Sequence, residues 1–255
     1  AMPDWQSHTC YSWRVCAWDQ SDRSCWSDFN PFATGILPED RRQPAWISSG
    51  PAVDKPYYAA RRFSLSARMD AAYLSICGLG QFVATLNGRR VGQHELDPGW
   101  TDYNKRTLYV TFDVSPYLVA GENILIVEVA NGWYLGDTAD GRHFYTRAVN
   151  YEPFGRSLPL WLRLTGHGTE PFTLDGDDQF ITWPSQTTLA NVYGSEDIDR
   201  AERIGPDLRL AEEAGVTRPA RLLTEDEQPV GPLTAQSHPP VGIKRTYTGI
   251  LAGQS

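Results

Sequence analysis

Two polar stretches of this 255-residue chain concentrate aromatic, carboxylate and amide side chains. They span residues 97–106 and 131–154. Flat aromatic faces pack against the C–H surfaces of sugar rings, carboxylate and amide groups bind paired hydroxyls, and such groups collect on the loops between strands. The two loops therefore predict a carbohydrate-binding surface. Its candidate residues are Asp97, Trp100, Asp102, Tyr103, Asn104, Asn131, Trp133, Tyr134, Asp137, Asp140, Asn150 and Glu152.

The most prominent of these residues also have a plainer interpretation. Trp100 and Trp133 occupy the sequences Pro-Gly-Trp and Asn-Gly-Trp, which suit sharp turns, and tryptophan buries a large area when it packs. The Asp102 carboxylate would serve equally as a turn residue that accepts nearby backbone N–H groups. A packing role and a binding role both stay open at this stage.

The elements that must position these loops are β-strands. Aromatic residues make up 12% of the chain, and 22 Gly and 18 Pro residues are spread along it, a mixture that favours strands joined by tight turns. Short apolar runs bounded by turn residues predict six strands, and Asn87-Gly88 predicts a two-residue hairpin between residues 81–86 and 89–91. The fold class is therefore all-β, arranged as a sandwich. The six strands are expected at 58–65, 72–77, 81–86, 107–112, 123–129 and 158–164.

The composition divides the chain into three parts. Residues 1–45 predict two strands with a turn, ending near residue 34, and a linker, too little to form a domain alone. Residues 46–210 carry the strand pattern and are expected to form the sandwich. Residues 211–255 are rich in Glu, Pro, Thr and Ala and predict an extended strap or linker.

The charge pattern argues against two classes of partner. The formal net charge is -8, and the 23 Lys and Arg residues of the chain are interspersed with 31 Asp and Glu residues. The sequence therefore has no cluster of basic residues that would bind a phosphate backbone or an anionic lipid surface. No apolar run approaches the roughly 20 residues that span a bilayer. We therefore expect no nucleic-acid partner and no membrane partner.

The four cysteines lack the spacing of a structural zinc site. Residues 19–23 predict a hairpin turn, and folding the chain there is expected to place Cys16 opposite Cys25. A cross-strand disulfide and two free thiols are both compatible with that pairing. Cys77 lies in an apolar run and is expected to pack as a small buried hydrophobe.

Five stretches carry a family resemblance. In chain order they read LNGRRVG from residue 86, LDPGWTDY from residue 96, YVTFDV from residue 109, GEN from residue 121 and NGWY from residue 131. With this order and spacing they resemble the N-terminal domain of bacterial-type α-L-rhamnosidases. Residues 11–37 are similar to the end of a preceding fibronectin-like domain, and residues 192–200 to the connecting segment of that family.

The resemblance implies a jelly-roll β-sandwich with an N-terminal partial fibronectin-like ribbon and an extended C-terminal strap. In some family members this domain is a carbohydrate-binding module for terminal L-rhamnose on plant polysaccharides or glycans, with calcium bridging protein and sugar. Calcium takes about six to eight oxygen ligands, and Asp102 and Asn104 with a carbonyl near Asn150 would form a partial set. The stretch 136–154 departs from the compact form of the motif. The sugar-binding residues expected here are Trp100, Asp102, Tyr103, Asn104, Asn131, Trp133, Tyr134 and Asp137.

The sequence does not predict a complete enzyme. Glycoside hydrolysis needs two carboxyl groups about 5 to 9.5 Å apart, and the sequence does not place any such pair. Rhamnosidases that this chain resembles keep their catalytic acids in a large helical barrel beyond these domains, and no helical pattern of that size occurs here. The candidate acids are Glu95, Asp97, Asp102, Glu128 and Asp137.

Three functional hypotheses follow from these observations. The first is a non-catalytic L-rhamnose-binding module, secreted or extracytoplasmic, which works beside a catalytic domain in a longer parent chain. The second is a structural accessory domain of an α-L-rhamnosidase that binds no sugar itself. The third is a small glycosidase or lyase, for which no nucleophile or metal motif is found.

Overall fold

The computed structural model describes residues 4–41, 44–49, 55–135, 154–155, 157–191 and 195–247. Within these ranges the regular secondary structure is almost all β-strand. The strands, in chain order, are β1 (Cys10–Trp13), β2 (Cys16–Trp18), β3 (Ser24–Trp26), β4 (Asn30–Ala33), β5 (Ile47–Ser49), β6 (Tyr57–Leu65), β7 (Ala71–Gly78), β8 (Gln81–Leu86), β9 (Arg89–Arg90), β10 (His94–Glu95), β11 (Thr107–Asp113), β12 (Gly121–Ala130), β13 (Leu160–His167), β14 (Phe172–Asp175), β15 (Ile181–Pro184), β16 (Thr187–Asn191), β17 (Ser195–Ile198), β18 (Arg218–Leu222), β19 (Leu233–Ala235) and β20 (Val241–Gly242).

Two sheets face each other and share one strand. The first has the order β19-β11-β7-β13-β5-β18, with β14 also paired to β13, and the second has the order β18-β15-β6-β12-β8-β9. Strand β18 belongs to both, because Arg218 and Pro219 pair with β15 while residues 220–222 pair with β5. The jelly-roll β-sandwich predicted from the sequence is confirmed.

The core follows from side-chain alternation on the facing strands. On β12, Leu125, Val127 and Val129 are fully buried between the sheets, and the residues between them face outwards. Opposite them, Trp161 packs against Tyr109 with ring centroids 5.7 Å apart. Because burial of one large apolar side chain contributes about 1.5–3 kcal/mol, this layer supplies the main stabilisation of the fold.

A second, smaller core covers the outer face of the second sheet. Tyr58, Ala60 and Trp183 project away from the main core and pack against Leu208 and Ala211. The last two lie on helix α1 (Leu208–Glu213), which Asp207 caps by accepting a hydrogen bond from the backbone N–H of Leu210.

The local predictions for the sandwich are confirmed. All six expected strands are present as β6, β7, β8, β11, β12 and β13, within two or three residues of the expected bounds. The turn between β8 and β9 has φ values of 53° at Asn87 and 74° at Gly88, the left-handed conformation that a two-residue hairpin requires.

The C-terminal part of the chain is extended and joins the sandwich. It contributes β18, then β19, which runs parallel to β11 at the edge of the first sheet, and β20, which pairs with β10. The strap expected after residue 211 therefore provides the strand that links the two sheets. The division of the chain at residues 45 and 210 stays a prediction. No helix in the described ranges is long and apolar enough to cross a membrane.

The N-terminal ribbon corrects two predictions. It has four strands where two were expected, because β1 pairs with β4 in addition to the pair of β2 and β3. Strands β2 and β3 pair with Cys16 opposite Trp26 and Ala17 opposite Cys25, so the expected facing of Cys16 and Cys25 is wrong by one residue. The five-residue loop is centred on Ser21, because Asp19 pairs with Arg23 and its carboxylate accepts the N–H groups of Ser21 and Arg23. A slip of one residue sends the two thiols to opposite faces of the ribbon.

His8 fixes the start of the ribbon to the first sheet. Its ring is fully buried, with Nδ1 3.0 Å from the Thr165 hydroxyl and Nε2 2.7 Å from the Ser75 hydroxyl. The His8 carbonyl lies 2.7 Å from Nε2 of His167. A buried imidazole held in this way is stable only as the neutral form.

His8 should make the stability of the fold depend on pH. Burial, and after it the charge of Arg163, lower the pKa of His8 from 6.5 to about 4. Between these two pH values the His8 side chain is protonated in the unfolded chain and neutral in the folded chain. The stability that neutral His8 gives the fold is therefore fully present above pH 6.5 and is lost as the pH falls towards 4. We expect the free energy of unfolding to drop by about 3 kcal/mol more in the wild type than in His8→Gln, which cannot titrate. Urea denaturation on either side of this window measures the difference, and equal pH dependence in the two proteins would contradict it.

Thiol labelling should separate Cys77 from the other cysteines. Cys77 is fully buried and burial raises the pKa of its thiol, whereas Cys10 and Cys25 are exposed and Cys16 is half-buried. The native protein is expected to be alkylated at those three positions, and Cys77 only in denaturant. Mass spectrometry of labelled peptides gives the answer. A Cys16–Cys25 cross-link in non-reduced peptides would contradict the register described above.

Candidate functional site

The loop after β10 is held in place at three points. The backbone carbonyl of Asp97 accepts a hydrogen bond from the Phe82 N–H at 2.8 Å, and the Gly99 N–H donates to the Gln236 side chain at 2.9 Å. The Asp97 carboxylate is buried and lies 2.8 Å from Nδ1 of His94. Burial raises the pKa of Asp97, and the hydrogen bond from His94 opposes that rise. These contacts fix the position from which Trp100 projects.

Residues 101–106 form a tight turn around Asp102. Its backbone carbonyl accepts the N–H groups of Lys105 and Arg106, and its carboxylate accepts the N–H of Asn104 at 3.2 Å. The Lys105 ammonium group lies 3.1 Å from the Asp102 carboxylate. That hydrogen bond lowers the pKa of Asp102, so the side chain is charged at neutral pH. The turn role considered for Asp102 is present, and the carboxylate is nevertheless partly exposed.

The loop after β12 depends on two glycines. A Cβ atom on Gly80 would lie 1.9 Å from the Asn131 carbonyl oxygen, and a Cβ on Gly132 would lie 2.7 Å from the Gly80 carbonyl carbon. Gly132 also has a φ of 51°, and its N–H donates to the Ala190 carbonyl at 2.8 Å. Only glycine permits so close an approach of two backbones. Trp133 follows directly from this contact.

The two loops meet through aromatic rings arranged in two layers. Trp100 and Trp133 lie in edge contact, with ring centroids 6.3 Å apart. Beneath them Tyr103 contacts Tyr134 at 5.2 Å and Phe154 at 5.1 Å, both edge to face. Such pairs are stabilising by about 0.5–1.5 kcal/mol beyond the area that they bury.

Exposure separates the predicted site residues into two groups. Trp100 is 59% exposed, Asn104 is exposed, and Asp102 and Trp133 are half-buried, so these four are accessible to a ligand. Tyr103, Asn131 and Tyr134 are 1–3% exposed and support the surface from below. Asn131 does so by accepting a hydrogen bond from the Ala190 N–H at 3.3 Å. Asp137 and Asn150 lie outside the described residues.

A calcium ion would find part of a ligand set here. Asp102 offers a charged, partly exposed carboxylate and Asn104 an exposed amide two residues away. These two fit the oxygen chemistry of calcium, although they supply only a fraction of the about six to eight ligands it takes. Among the described residues, no group of three or more His, Cys, Asp or Glu side chains is placed to hold a metal ion.

Each described candidate for a catalytic acid has a partner of its own. Asp97 is bound to His94, Asp102 to Lys105, and Glu95 to Arg90 at 2.9 Å. Glu128 accepts a hydrogen bond from the buried Ser185 hydroxyl. Their contacts anchor loops and strands, which is a structural use of these carboxyl groups.

An open groove of about 410 Å³ on the outer face of the second sheet was not predicted from the sequence. Val83 and Glu128 are cross-strand neighbours in its floor, as are Gln81 and Ala130. Alternation along β8 and β12 places these side chains on the outer face of the sheet, so their orientation could be predicted from the strand pattern. The wall contributed by β16 and β17 could not be predicted in this way, because it comes from a distant part of the chain.

Comparison with known sequences places this geometry in a family. A family model described as the α-L-rhamnosidase N-terminal domain matches residues 67–245. An α-L-rhamnosidase of Formosa agariphila is 32% identical over 227 residues, covering 77% of this chain and 23% of that protein.

Comparison with solved structures agrees on the fold. An α-L-rhamnosidase of Dictyoglumus thermophilum has a TM-score of 0.75 at 24% identity, covering 94% of this chain and 28% of that one. An α-L-rhamnosidase of Streptomyces avermitilis, solved in complex with L-rhamnose, has a TM-score of 0.59 at 22% identity, covering 91% and 24%. This chain thus spans about a quarter of the length of these relatives. Since the family model covers more than half of its residues, the chain belongs to the α-L-rhamnosidase N-terminal domain family.

Proposed function

We propose that this chain is a non-catalytic carbohydrate-binding module that recognises terminal L-rhamnose on plant polysaccharides or glycans. The observation that carries the proposal is the contact between Trp100 and Trp133, which brings an exposed indole from one predicted loop against a half-buried indole from the other. Exposed tryptophans are costly to leave in water, and a pair at the end of a sandwich suits the C–H face of a sugar.

Polar groups beside the indoles suit the hydroxyls of the sugar. The Asp102 carboxylate is oriented by the Asn104 N–H and by Lys105, and the Asn104 side chain is exposed next to it. A charged acceptor of this kind forms hydrogen bonds of about twice the strength of neutral ones. The site would therefore combine apolar stacking with directed hydrogen bonds.

Calcium is a second part of the proposal. Asp102 and Asn104 would supply two of its ligands, and the hydroxyls of the sugar would supply others when bound. A divalent cation there would also offset the charge of Asp102 in competition with Lys105, which lies 3.1 Å away. Calcium prefers flexible sets of oxygen ligands, which loop residues of this type provide.

The lack of catalysis is supported by the use of the acids. Glu95, Asp97, Asp102 and Glu128 are each bound to a separate partner, as described above. The relatives are longer proteins, so we propose that the module acts beside a catalytic domain of a parent chain. Because polysaccharides are encountered outside the cell, we place that parent chain in a secreted or extracytoplasmic setting.

A second candidate function is favoured by the N-terminal ribbon. Trp13, Trp18, Trp26 and Phe29 are 50–66% exposed on it, and the Arg14 guanidinium group stacks over Trp26 at 4.0 Å. Exposed aromatic groups on this scale are typical of protein interfaces. The chain would then be a structural accessory domain of an α-L-rhamnosidase that packs against other parts of its parent and binds no sugar.

Replacement of Trp100 should separate binding from stability. Trp100→Ala removes an exposed ring, so we expect at least a tenfold loss of L-rhamnose affinity, with the free energy of unfolding lowered only by about 1 kcal/mol through the lost ring contact with Trp133. Isothermal titration calorimetry and urea denaturation measure the two quantities. Trp18→Ala, a matched exposed tryptophan on the ribbon, should change neither. No saturable binding by the wild type would favour the accessory role, and unchanged affinity in Trp100→Ala would exclude this surface.

Removal of calcium tests the metal independently of the sugar. If Asp102 is a calcium ligand, treatment with EDTA should abolish L-rhamnose binding and added calcium should restore it. Asp102→Asn removes one charged ligand and should raise the calcium concentration needed for half-maximal binding by roughly tenfold. Asp178→Asn, at an exposed aspartate of another turn, is the control. If L-rhamnose binding is unchanged in EDTA, the proposed sugar site stands and the proposed calcium site is excluded.

A further inference from the structure

The groove on the second sheet has walls from three parts of the chain. Its floor is the outer face of β8 and β12, one wall is the segment Glu95–Leu96, and the other is the hairpin of β16 and β17. With a volume of about 410 Å³, it falls within the range of small-ligand sites. It is separate in composition from the Trp100–Trp133 surface.

The lining of the groove matches a neutral ligand rich in hydroxyl groups. Glu196 and Glu128, one of whose oxygens already accepts from Ser185, offer carboxylate acceptors, and the described lining residues include no Lys, Arg or His that would attract an anion. Val83 and Leu96 are 39% and 54% exposed and form an apolar strip beside these acids. A sugar ring suits such a surface, because its hydroxyls can donate to the acceptors while its C–H face packs on the apolar strip.

Gln81 supplies a hydrogen-bond donor that the described part of the protein leaves unused. Its Nε2 atom is buried and has no hydrogen-bond partner among the described residues. Its Cγ atom lies close to Gly132, where an added Cβ would be 2.7 Å away. A buried donor without a partner is unfavourable, so a ligand hydroxyl towards which the Gln81 amide turns would gain affinity.

The groove and the tryptophan surface are joined by the same backbone contacts. Phe82 lines the groove and donates to the Asp97 carbonyl, three residues before Trp100. Asn191 lines the groove and bridges to Gly132, one residue before Trp133. Three extended residues span at most about 10 Å, so the backbone at Trp100 lies within that distance of Asp97, and Trp133 directly follows Gly132.

We infer that the groove is a second sugar subsite, which takes the unit next to the terminal one in the same glycan. The inference rests on the proposed function, because the terminal unit is placed on Trp100 and Trp133. The module then recognises an oligosaccharide end, with Gln81 as donor and Glu128 as acceptor to the second unit. Val83 and Leu96 pack against the apolar face of that unit.

A comparison of a monosaccharide with a disaccharide tests this subsite. The probes are L-rhamnose and a disaccharide of two L-rhamnose units, titrated into the intact chain by calorimetry, with and without calcium. We expect the wild type to bind the disaccharide about three- to tenfold more tightly, the gain of one or two net hydrogen bonds. Gln81→Leu removes the unused donor, and Val83→Arg fills the groove from an exposed position. Each should reduce the ratio of the two affinities towards one.

Val216→Arg provides the control, because Val216 is 38% exposed and lies outside the groove. It should leave the ratio at the wild-type value, and urea denaturation of each variant confirms that it folds. Equal affinity for the two sugars in the wild type, or a ratio unchanged in both groove variants, overturns the subsite and leaves the proposed function standing. Absence of binding by either sugar overturns both together.

Discussion

The contact of two backbones at Gly80 and Gly132 is the constraint on which the proposed binding end of this molecule depends. One glycine lies in the turn between β7 and β8 and the other just beyond β12, and neither position has room for a Cβ atom. Their approach lets Gly132 donate to Ala190, which seats the β16–β17 hairpin against the sheet. The same approach sets the direction of Trp133. An alanine at Gly80 would force these backbones apart and move both the indole and the groove.

The carboxyl groups near this end show how the fold uses charge. Asp97 is buried against His94, and Asp102 lies beside Lys105, three residues further along the same turn. Burial raises the pKa of the first and a hydrogen bond from lysine lowers that of the second, so the two acids differ because of their surroundings. Asp97 serves to hold a loop, and Asp102 remains charged at the surface. A binding role is consistent with the second only.

The fold could be predicted from the sequence to the extent that the information was local. Alternating apolar residues gave the six main strands, and Asn87-Gly88 gave the hairpin, because both signals lie within a few residues. The pairing of Cys16 with Trp26 was missed, since a loop centred on Ser21 shifts the register by one residue. The role of β18 was also missed. Its partners β5 and β15 are distant in sequence, and long-range pairing leaves no local pattern.

The candidate site was predictable in its residue types and less so in their roles. Tyr103 and Tyr134 were grouped with Trp100 because the same loops carry them, yet they lie in the core under the tryptophans. This layering matters for binding. Rings that are fixed from below lose little conformational freedom when a ligand arrives, so more of the contact energy is available as affinity. The edge contact of Tyr103 with both Tyr134 and Phe154 ties the two loops together before any sugar is present. The packing role of the tyrosines and the binding role proposed for the tryptophans therefore belong to one arrangement, in which the buried layer fixes the position of the layer above it.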